Sequence, residues 1–492
     1  MVGAETSPAS VLRAQLASID RERASVHAQI AALHEKLEQL AKTRTTVTTQ
    51  LKAVTFPILT LPNEITSEIF ANYSLFIAHE CGSLHSAPTV LTHVCRAWRQ
   101  LALSLPKIWT QIFMGSESSP SIDFLLRLWF DRAGSQPLHV TTPDEDEGDA
   151  QRLFSMLVAY SDQFESLDCA FPLPEGCSLQ PISGRVSNLR ELSLYVNPQP
   201  SYPINVFATA PSLRKLVLSL YHENVVTAQI KLPWAQLTEL RADYGFAPDL
   251  LQTIQKIPQL EVLELRAASY TPPAAPIQLT RLHTLRLHSA GGPVGTLQCL
   301  TYLVCPSLHN LELGVFGQYS APTFSSFIKR ADCIRCLTLS QLTSYEMELV
   351  LSRMPGIEDL SVLRVQDPYS LISSLRIQTP QWRLVPNLQK LHIELSGTPA
   401  LLPEISAMLK TRVFATSSPA MSTLRQLTIS TMESPDTSLS VAQLGKQLCT
   451  EVGPRGCKVD IAIQRTKRLD SRVGWAPGRN LLYSLDDVDD DT

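Results

Sequence analysis

Apolar residues recur in steps of four and three along the first 55 residues, which is the spacing of a heptad seam. Eleven of its thirteen positions are aliphatic and two are arginines: Leu12, Leu16, Ile19, Arg23, Val26, Ile30, Leu33, Leu37, Leu40, Arg44, Val47, Leu51 and Val54. So narrow a stripe suits a helical partner better than a broad core, so the pattern predicts a coiled coil over residues 8–55. We expect a parallel homodimer, because larger bundles would bury Arg23 and Arg44 more completely. The alternative is one amphipathic helix folded back on the body of the protein.

Two further stretches predict short amphipathic helices between residues 57 and 113. In LPNEITSEIF, Pro62 suits a helix start, and Ile65 and Ile69 lie four residues apart on one face. The stretch TVLTHVCRAWRQLALSLP carries a second helical face that ends at a proline: Leu91, Val94, Trp98, Leu101 and Pro106. Each stretch is too short to be a stable helix alone, so the two are expected to pack together.

The order of these motifs resembles an F-box, in the spaced form common in fungal F-box proteins. The resemblance rests on these residues: Leu61-Pro62, Glu64, Ile65 and Ile69, then Val94-Cys95-Arg96, Trp98, Leu101-Ala102, Pro106 and Trp109. An insertion between Ser74 and Pro88 departs from the compact F-box. The resemblance implies docking on a Skp-type adaptor, which links the module to a cullin ubiquitin ligase. It implies six adaptor-binding residues: Leu61, Pro62, Ile65, Ile69, Val94 and Trp98. The alternative is that these side chains only form a small helical core.

The rest of the chain repeats the pattern L-x-x-L-x-L. Ten copies begin at Leu189, Leu213, Leu237, Leu260, Leu282, Leu308, Ile334, Ile357, Leu388 and Leu424, and Phe164 begins a divergent first copy. Pattern and spacing resemble leucine-rich repeats, which implies a stack of strands over residues 161–462. Because the family's asparagine is nearly absent and the last two intervals are long, we expect an irregular solenoid.

Charges of both signs occupy alternate strand positions in three consecutive copies near the middle of this region. Alternate residues of a strand point away from the core, so these are candidate target-binding residues: Glu239, Arg241, Asp243, Glu264, Arg266, Arg286 and His288. We expect alanine at Arg241, Arg266 and Arg286 to weaken target capture and leave the melting temperature nearly unchanged. The alternative is that these charges only keep an exposed strand face soluble.

Composition narrows the class of protein. A net charge of −4, with 42 Lys and Arg against 46 Asp and Glu, gives no reason to expect a nucleic-acid or membrane partner. The N-terminus lacks a signal-peptide pattern and no run of 18 apolar residues occurs, so we expect a soluble protein of the cytoplasm or nucleus. The ten scattered cysteines fit a reducing compartment.

No stretch carries a complete catalytic or metal-binding motif. Cys333 and Cys336 form a CxxC, but one pair supplies too few ligands for zinc. GGPVG lacks the lysine of a phosphate-binding loop, and neither HExxH nor G-x-S-x-G occurs. RTKRLDSR could be a nuclear address, although a solvated basic face is the more common reading. We therefore expect no enzyme activity and no cofactor.

The sequence thus predicts an α plus α/β protein. Its parts are a coiled coil (8–55), an F-box-like domain (57–113), a helical linker or cap (114–160), a leucine-rich-repeat-like solenoid (161–462) and a flexible tail (463–492). The expected function is the substrate-recognition subunit of a Skp-cullin-F-box ubiquitin ligase, with an unknown protein target. The alternative is a non-degradative scaffold that self-associates through the coiled coil.

Overall fold

The computed structural model describes sixteen segments: residues 8–53, 61–81, 87–113, 122–142, 150–173, 177–196, 203–220, 227–246, 249–288, 297–314, 321–364, 367–377, 384–395, 401–413, 424–432 and 458–464. They contain both helices and a long parallel sheet, so the mixed α and β class is confirmed. The first two residues of the predicted tail, Ile463 and Gln464, end a strand instead, and residues 465–492 lie outside the described residues.

The N-terminal segment is one long helix, α1 (Pro8–Ala53), of 46 residues, as its seam predicted. Every side chain of α1 whose exposure is described is exposed. The described part of α1 is therefore not folded back on the body. Five threonines near its C-terminal end, within residues 43–49, donate their hydroxyls to carbonyls four residues earlier.

A small helical module follows. Its elements are α2 (Asn63–Cys81), α3 (Ala87–Val94), α4 (Arg96–Leu103) and a 3-10 turn (Pro106–Trp109). The insertion after Ser74 continues α2 by two turns, and α3 then supplies a middle helix. Phe70, Leu91, Ala102, Ile108 and Trp109 form the core of the module, all at most 4% exposed.

Among the described residues, fourteen parallel strands, adjacent in chain order, form the main sheet. Its strands are β1 (Gln111–Phe113), β2 (Leu138–Thr141), β3 (Phe164–Phe171), β4 (Glu191–Val196), β5 (Lys215–Leu220), β6 (Glu239–Phe246), β7 (Val262–Ser269), β9 (Thr284–His288), β11 (Asn310–Gly314), β12 (Cys336–Ser340), β13 (Asp359–Leu363), β14 (Lys390–Leu395), β15 (Gln426–Met432) and β16 (Lys458–Gln464). A second sheet pairs β8 (Ile277–Gln278) with β10 (Leu303–Val304).

The sheet begins earlier than the repeat pattern indicated. Strand β1 lies inside the predicted F-box range, and β2 lies inside the predicted helical linker. These strands of three and four residues are too short to carry the leucine pattern. The helical module is therefore continuous with the edge of the sheet through β1.

One column of leucines holds the repeats in register. The second leucine of each copy pairs with its counterpart on the next strand, and each is at most 2% exposed: Leu192, Leu216, Leu240, Leu263, Leu285, Leu311, Leu337, Leu360, Leu391 and Leu427. Side chains one residue to either side point to the opposite face. We call that opposite face the front face.

Helices lie between many of the strands. They are α5 (Ile122–Ala133), α6 (Ala150–Ala159), α7 (Leu250–Ile254), α8 (Ala321–Ile328), α9 (Ser344–Leu351), α10 (Pro368–Ser374) and α11 (Leu402–Val413). Their buried residues extend the sheet's core away from the front face; Phe324 and Met347, for example, are fully buried. These seven helices therefore lie on the side of the sheet away from the front face.

Candidate functional sites

Large apolar side chains are exposed on the helical module. Leu61 is 38% exposed, Ile65 51%, Ile69 42% and Val94 55%, and all four are residues that the F-box resemblance singled out. On α2, Thr66 and Phe70 are buried, whereas Ile65 and Ile69, each one residue earlier and so about 100° away around the helix, are exposed. Leaving so much apolar surface in water is unfavourable unless a partner covers it.

We call the exposed residues Leu61, Pro62, Ile65, Ile69, Val90 and Val94 the helical face. Val90, which sequence reasoning missed, is 47% exposed and lies one helical turn before Val94 on α3. The signal in the sequence was that Val90 lies four residues before Val94, which places both on the same side of a helix. The helical face thus draws on α2, on α3, which contacts it, and on Leu61 and Pro62 just before α2.

Trp98, the sixth predicted adaptor-binding residue, supports this face more than it forms it. The indole is partly buried against the core and meets the Phe70 ring edge-on, with 4.9 Å between centroids. The backbone N–H of Trp98 donates to Cys95 Sγ at 3.5 Å, so Cys95 caps the N-terminus of α4. Arg99 Nε donates to the Thr92 carbonyl at 2.7 Å and fixes α4 against α3.

The second candidate site is a set of ionisable side chains, most of them charged, on the front face of β6, β7, β9 and β11. We call it the charged ridge and define it by seven residues: Arg241, Asp243, Glu264, Arg266, Arg286, His288 and Glu312. Strand register places Arg241 beside Glu264, Glu264 beside Arg286 and Arg286 beside Glu312. Because neighbouring strands lie about 4.8 Å apart, charges of alternating sign stand next to one another along this row.

Ion pairs connect the members of this row. Glu264 Oε1 lies 3.8 Å from Arg241 Nε, and Glu264 Oε2 lies 3.5 Å from Arg286 Nη1. Arg286 Nε lies 3.3 Å from Glu312 Oε2. In the adjacent row, Arg266 Nη1 lies 3.7 Å from Asp243 Oδ2.

Burial sets the protonation behaviour of the charged ridge. Glu264 is only 7% exposed, and burial raises its pKa although Arg241 and Arg286 oppose that shift. Burial likewise raises the pKa of Glu312 and of Asp243 and lowers the pKa of Arg241. These are partly desolvated pairs, in which removing one partner leaves a costly charge behind.

His288 lies among these charges without carrying one at neutral pH. Its Nε2 is 3.6 Å from Glu264 Oε1 and 3.8 Å from Glu312 Oε1, which would suggest ion pairs. Burial, and then the nearby arginines, lower the pKa of His288 to about 4. The imidazole is therefore neutral at pH 7, and these approaches are contacts of a neutral ring.

Gly314 makes room for this imidazole. It lies beside His288 in the strand register. A Cβ on Gly314 would stand 2.7 Å from His288 Nδ1 and 3.2 Å from Ser340 Oγ. The glycine therefore lets the ring lie close to the backbone of the next strand.

The structure brings six of the seven predicted target-binding residues together in the charged ridge. Glu239 instead lies exposed in another row, beside Lys215 and Val262. Glu312 was missed, although it occupies the same position of the following repeat as Arg286. Reading one more repeat would have found it.

A groove of about 570 Å³ runs along the front face beside the charged ridge. Its floor includes small side chains on β2 to β5, namely Thr141, Ser166, Ser193 and Val217, and Leu75 of α2 and Arg286 also line it. A smaller recess of about 270 Å³ lies on the other side, where Glu312, Thr338 and Ser361 are among the lining residues. The charged ridge thus stands between two recesses.

Cys333 and Cys336 are free thiols, and burial raises the pKa of Cys336. Within the described segments, no three His, Cys, Asp or Glu side chains are grouped as a metal site would require. None of the helices in the described part of the chain is both long and apolar enough to cross a bilayer.

Comparison with known proteins gives no family assignment. No family model matches the chain, and no curated protein matches it. Among solved structures, the chain is similar to a Bacteroides fragilis protein determined in a structural genomics programme. The identity is 12% and the TM-score 0.31, over 65% of this chain and 85% of the other. A likeness this weak supports no conclusion about function.

Proposed function

We propose that this protein is the substrate-recognition subunit of a Skp-cullin-F-box ubiquitin ligase. The helical module would bind the adaptor, and the repeats, as an irregular leucine-rich-repeat solenoid, would bind the target on their front face. Ubiquitin transfer would then result from proximity, because the receptor holds a target lysine near a ubiquitin-charged enzyme. The receptor itself would catalyse no step.

The observation that carries this proposal is the exposure of the helical face. Leu61, Ile65, Ile69 and Val94 were singled out by the F-box resemblance, and all four are more than a third exposed. The core of the module is filled by other residues, such as Phe70 and Trp109. A purely structural role would bury these aliphatic side chains, whereas an adaptor-binding role requires them at the surface.

The first prediction tests adaptor binding with two surface changes. Ile65→Asp, and separately Leu61→Ala with Pro62→Ala, should each weaken binding to a Skp-type adaptor by at least tenfold, roughly the effect of losing one hot spot. Binding would be measured by calorimetry with purified adaptor and the full chain. Melting should stay close to the parent, because these side chains are exposed.

A matched control is Phe124→Asp. Phe124 is 68% exposed on α5, outside the helical face, so the variant also places a carboxylate on an exposed apolar position. Its adaptor affinity should equal that of the parent. Undiminished binding by a folded Ile65→Asp variant would remove the helical face from the proposal.

The second candidate function is a self-associating scaffold without target delivery. The exposed side chains in the described part of α1 favour it, since they offer a surface for another copy of the chain. Recovery of a cullin with the full chain, together with ubiquitination of a bound protein, separates the receptor from the scaffold. Adaptor binding without cullin recruitment would favour the scaffold.

A further inference from the structure

The seam of α1 is an apolar stripe that the described part of the chain leaves uncovered. Nine of its aliphatic side chains are between 45% and 64% exposed: Leu12, Leu16, Ile19, Val26, Ile30, Leu33, Leu37, Leu40 and Val47. An isolated helix is marginally stable in water, and in proteins most of a helix's stability comes from packing such a stripe against a partner. The threonines within residues 43–49 make this need greater, because threonine is a poor helix former and bonds back to the preceding turn.

We propose that α1 pairs with α1 of a second copy as a parallel, in-register, two-stranded coiled coil. The length of the helix supports this occupant. At 1.5 Å per residue, α1 is about 69 Å long. A contact strip about 10 Å wide on each helix then covers roughly 1,400 Å² in total, which is within the range of specific interfaces.

The two arginines of the seam set the orientation. In a parallel, in-register pair, Arg23 faces Arg23 and Arg44 faces Arg44. The two guanidiniums of a layer repel each other, but in a two-stranded coiled coil both can reach water from the a positions, and only two layers contain them. In an antiparallel pair, heptad spacing places Arg23 opposite Leu40 and Arg44 opposite Ile19. Four layers would then each set a guanidinium against an aliphatic side chain, which is costly.

The same argument fixes the register. A parallel pair shifted by one heptad would place Arg23 opposite Ile30, again mixing polar and apolar side chains within a layer. In register, Glu22 precedes Arg23 at a g position, next to the seam, where g residues form pairs across the interface. Opposite charges are thus available beside the Arg23 layer.

Parallel pairing has a consequence for the whole particle. It places both bodies at the C-terminal end of the coiled coil, so two helical faces and two front faces belong to one particle. Two linked binding sites raise the effective concentration at the second site. Pairing itself does not depend on adaptor binding; only this consequence rests on the proposed function.

Mass measurement on the full chain tests the pairing. Sedimentation equilibrium at micromolar concentration should give twice the chain mass of 54.4 kDa. Leu33→Asp should yield the mass of one chain, whereas Ala28→Asp, on the outer face of the same helix, should leave the dimer intact. A single-chain mass for the parent, or a larger oligomer, would overturn the proposal.

Cross-linking tests the orientation. In the parallel pair, Leu12→Cys places two thiols side by side, and oxidation should join them with high yield compared with the parent and its native cysteines. In an antiparallel pair, position 12 of one helix would lie beside position 51 of its partner. The two copies of position 12 would then be about 58 Å apart along the coiled coil. A dimer that cross-links only when Leu51→Cys is added to Leu12→Cys would reject the parallel arrangement.

Replacing the arginines tests their role. Arg23→Leu with Arg44→Leu should tighten the dimer and reduce the Leu12→Cys cross-link, because nothing in the seam would then penalise antiparallel or shifted pairs. Unchanged cross-linking in this variant would show that the arginines do not set the orientation. Adaptor binding, measured on the same samples, is expected to stay unchanged and reports separately on the proposed function.

Discussion

At the scale of single residues, Gly314 and His288 lie side by side on neighbouring strands of the front face. We predict that Gly314→Ala destabilises the protein by about 1–2 kcal/mol, because the new methyl group would overlap the imidazole. Denaturant unfolding monitored by tryptophan fluorescence measures the change. Adding His288→Ala should recover part of that loss, since it removes the overlapping ring.

The matched control is His288→Ala alone. If Gly314→Ala costs as much in this background as in the parent, the two changes are additive and the overlap explanation is wrong. Ser340 does not supply the same explanation, since its hydroxyl is farther from the added Cβ than His288 Nδ1 is.

At the scale of single elements, Arg412 attaches α11 to the segments before it. Its Nε donates to the Leu375 carbonyl at 2.7 Å, Nη1 to Val385 at 3.1 Å and Nη2 to Leu384 at 2.8 Å. Arg412 is only 4% exposed, and burial lowers its pKa to about 10. One guanidinium therefore satisfies three backbone carbonyls, which would lose their hydrogen-bond donor without it.

We predict that Arg412→Met destabilises the C-terminal repeats by about 3 kcal/mol, because it keeps the length of the side chain but leaves these carbonyls unpaired. Hydrogen exchange should rise in α11 and β14 and stay unchanged in α2. Lys410→Met, on the exposed side of the same helix, is the control. Equal protection in the Arg412→Met variant and the parent would contradict this role.

At the scale of the whole molecule, the ion pairs of the charged ridge change how target binding must be tested. The sequence led us to expect that alanine at Arg241, Arg266 and Arg286 would leave melting nearly unchanged. In the structure, Glu264 is 7% exposed and faces two of these arginines. The triple variant would strand a buried carboxylate, so it should also lower stability.

A variant that fills the groove avoids this difficulty. We predict that Ser193→Tyr reduces target capture at least severalfold, because the new ring occupies the groove without removing an ion pair. Ser361→Tyr is the matched control in the smaller recess on the other side of the charged ridge. Affinity purification followed by quantitative mass spectrometry gives the comparison.

Target loss in Ser361→Tyr with no loss in Ser193→Tyr would move the binding surface to the smaller recess. Equal recovery by both variants and the parent would place the target off the front face. Adaptor binding, measured in parallel, should be unchanged in all three proteins, because neither substitution is on the helical face.

Local periodicity determined much of this protein from the sequence alone. Each of the ten repeat strands begins two residues after the first apolar residue of its motif, as in β4 after Leu189 and β15 after Leu424. The heptad spacing predicted α1, and the helical spacing of Ile65 and Ile69 predicted α2. These features depend on residues close in sequence, which is why a single chain reveals them.

The tertiary structure alone decided which strands pair and which side chains are buried between neighbouring strands. Strand β2 joins the sheet at the edge of β3, and β1 then pairs with β2, although their own sequences carry no repeat motif. Glu264 is buried because Arg241 and Arg286 stand on either side of it, each more than twenty residues away in the chain. Pairing between strands that are distant in sequence fixes such burial, and no local period encodes it.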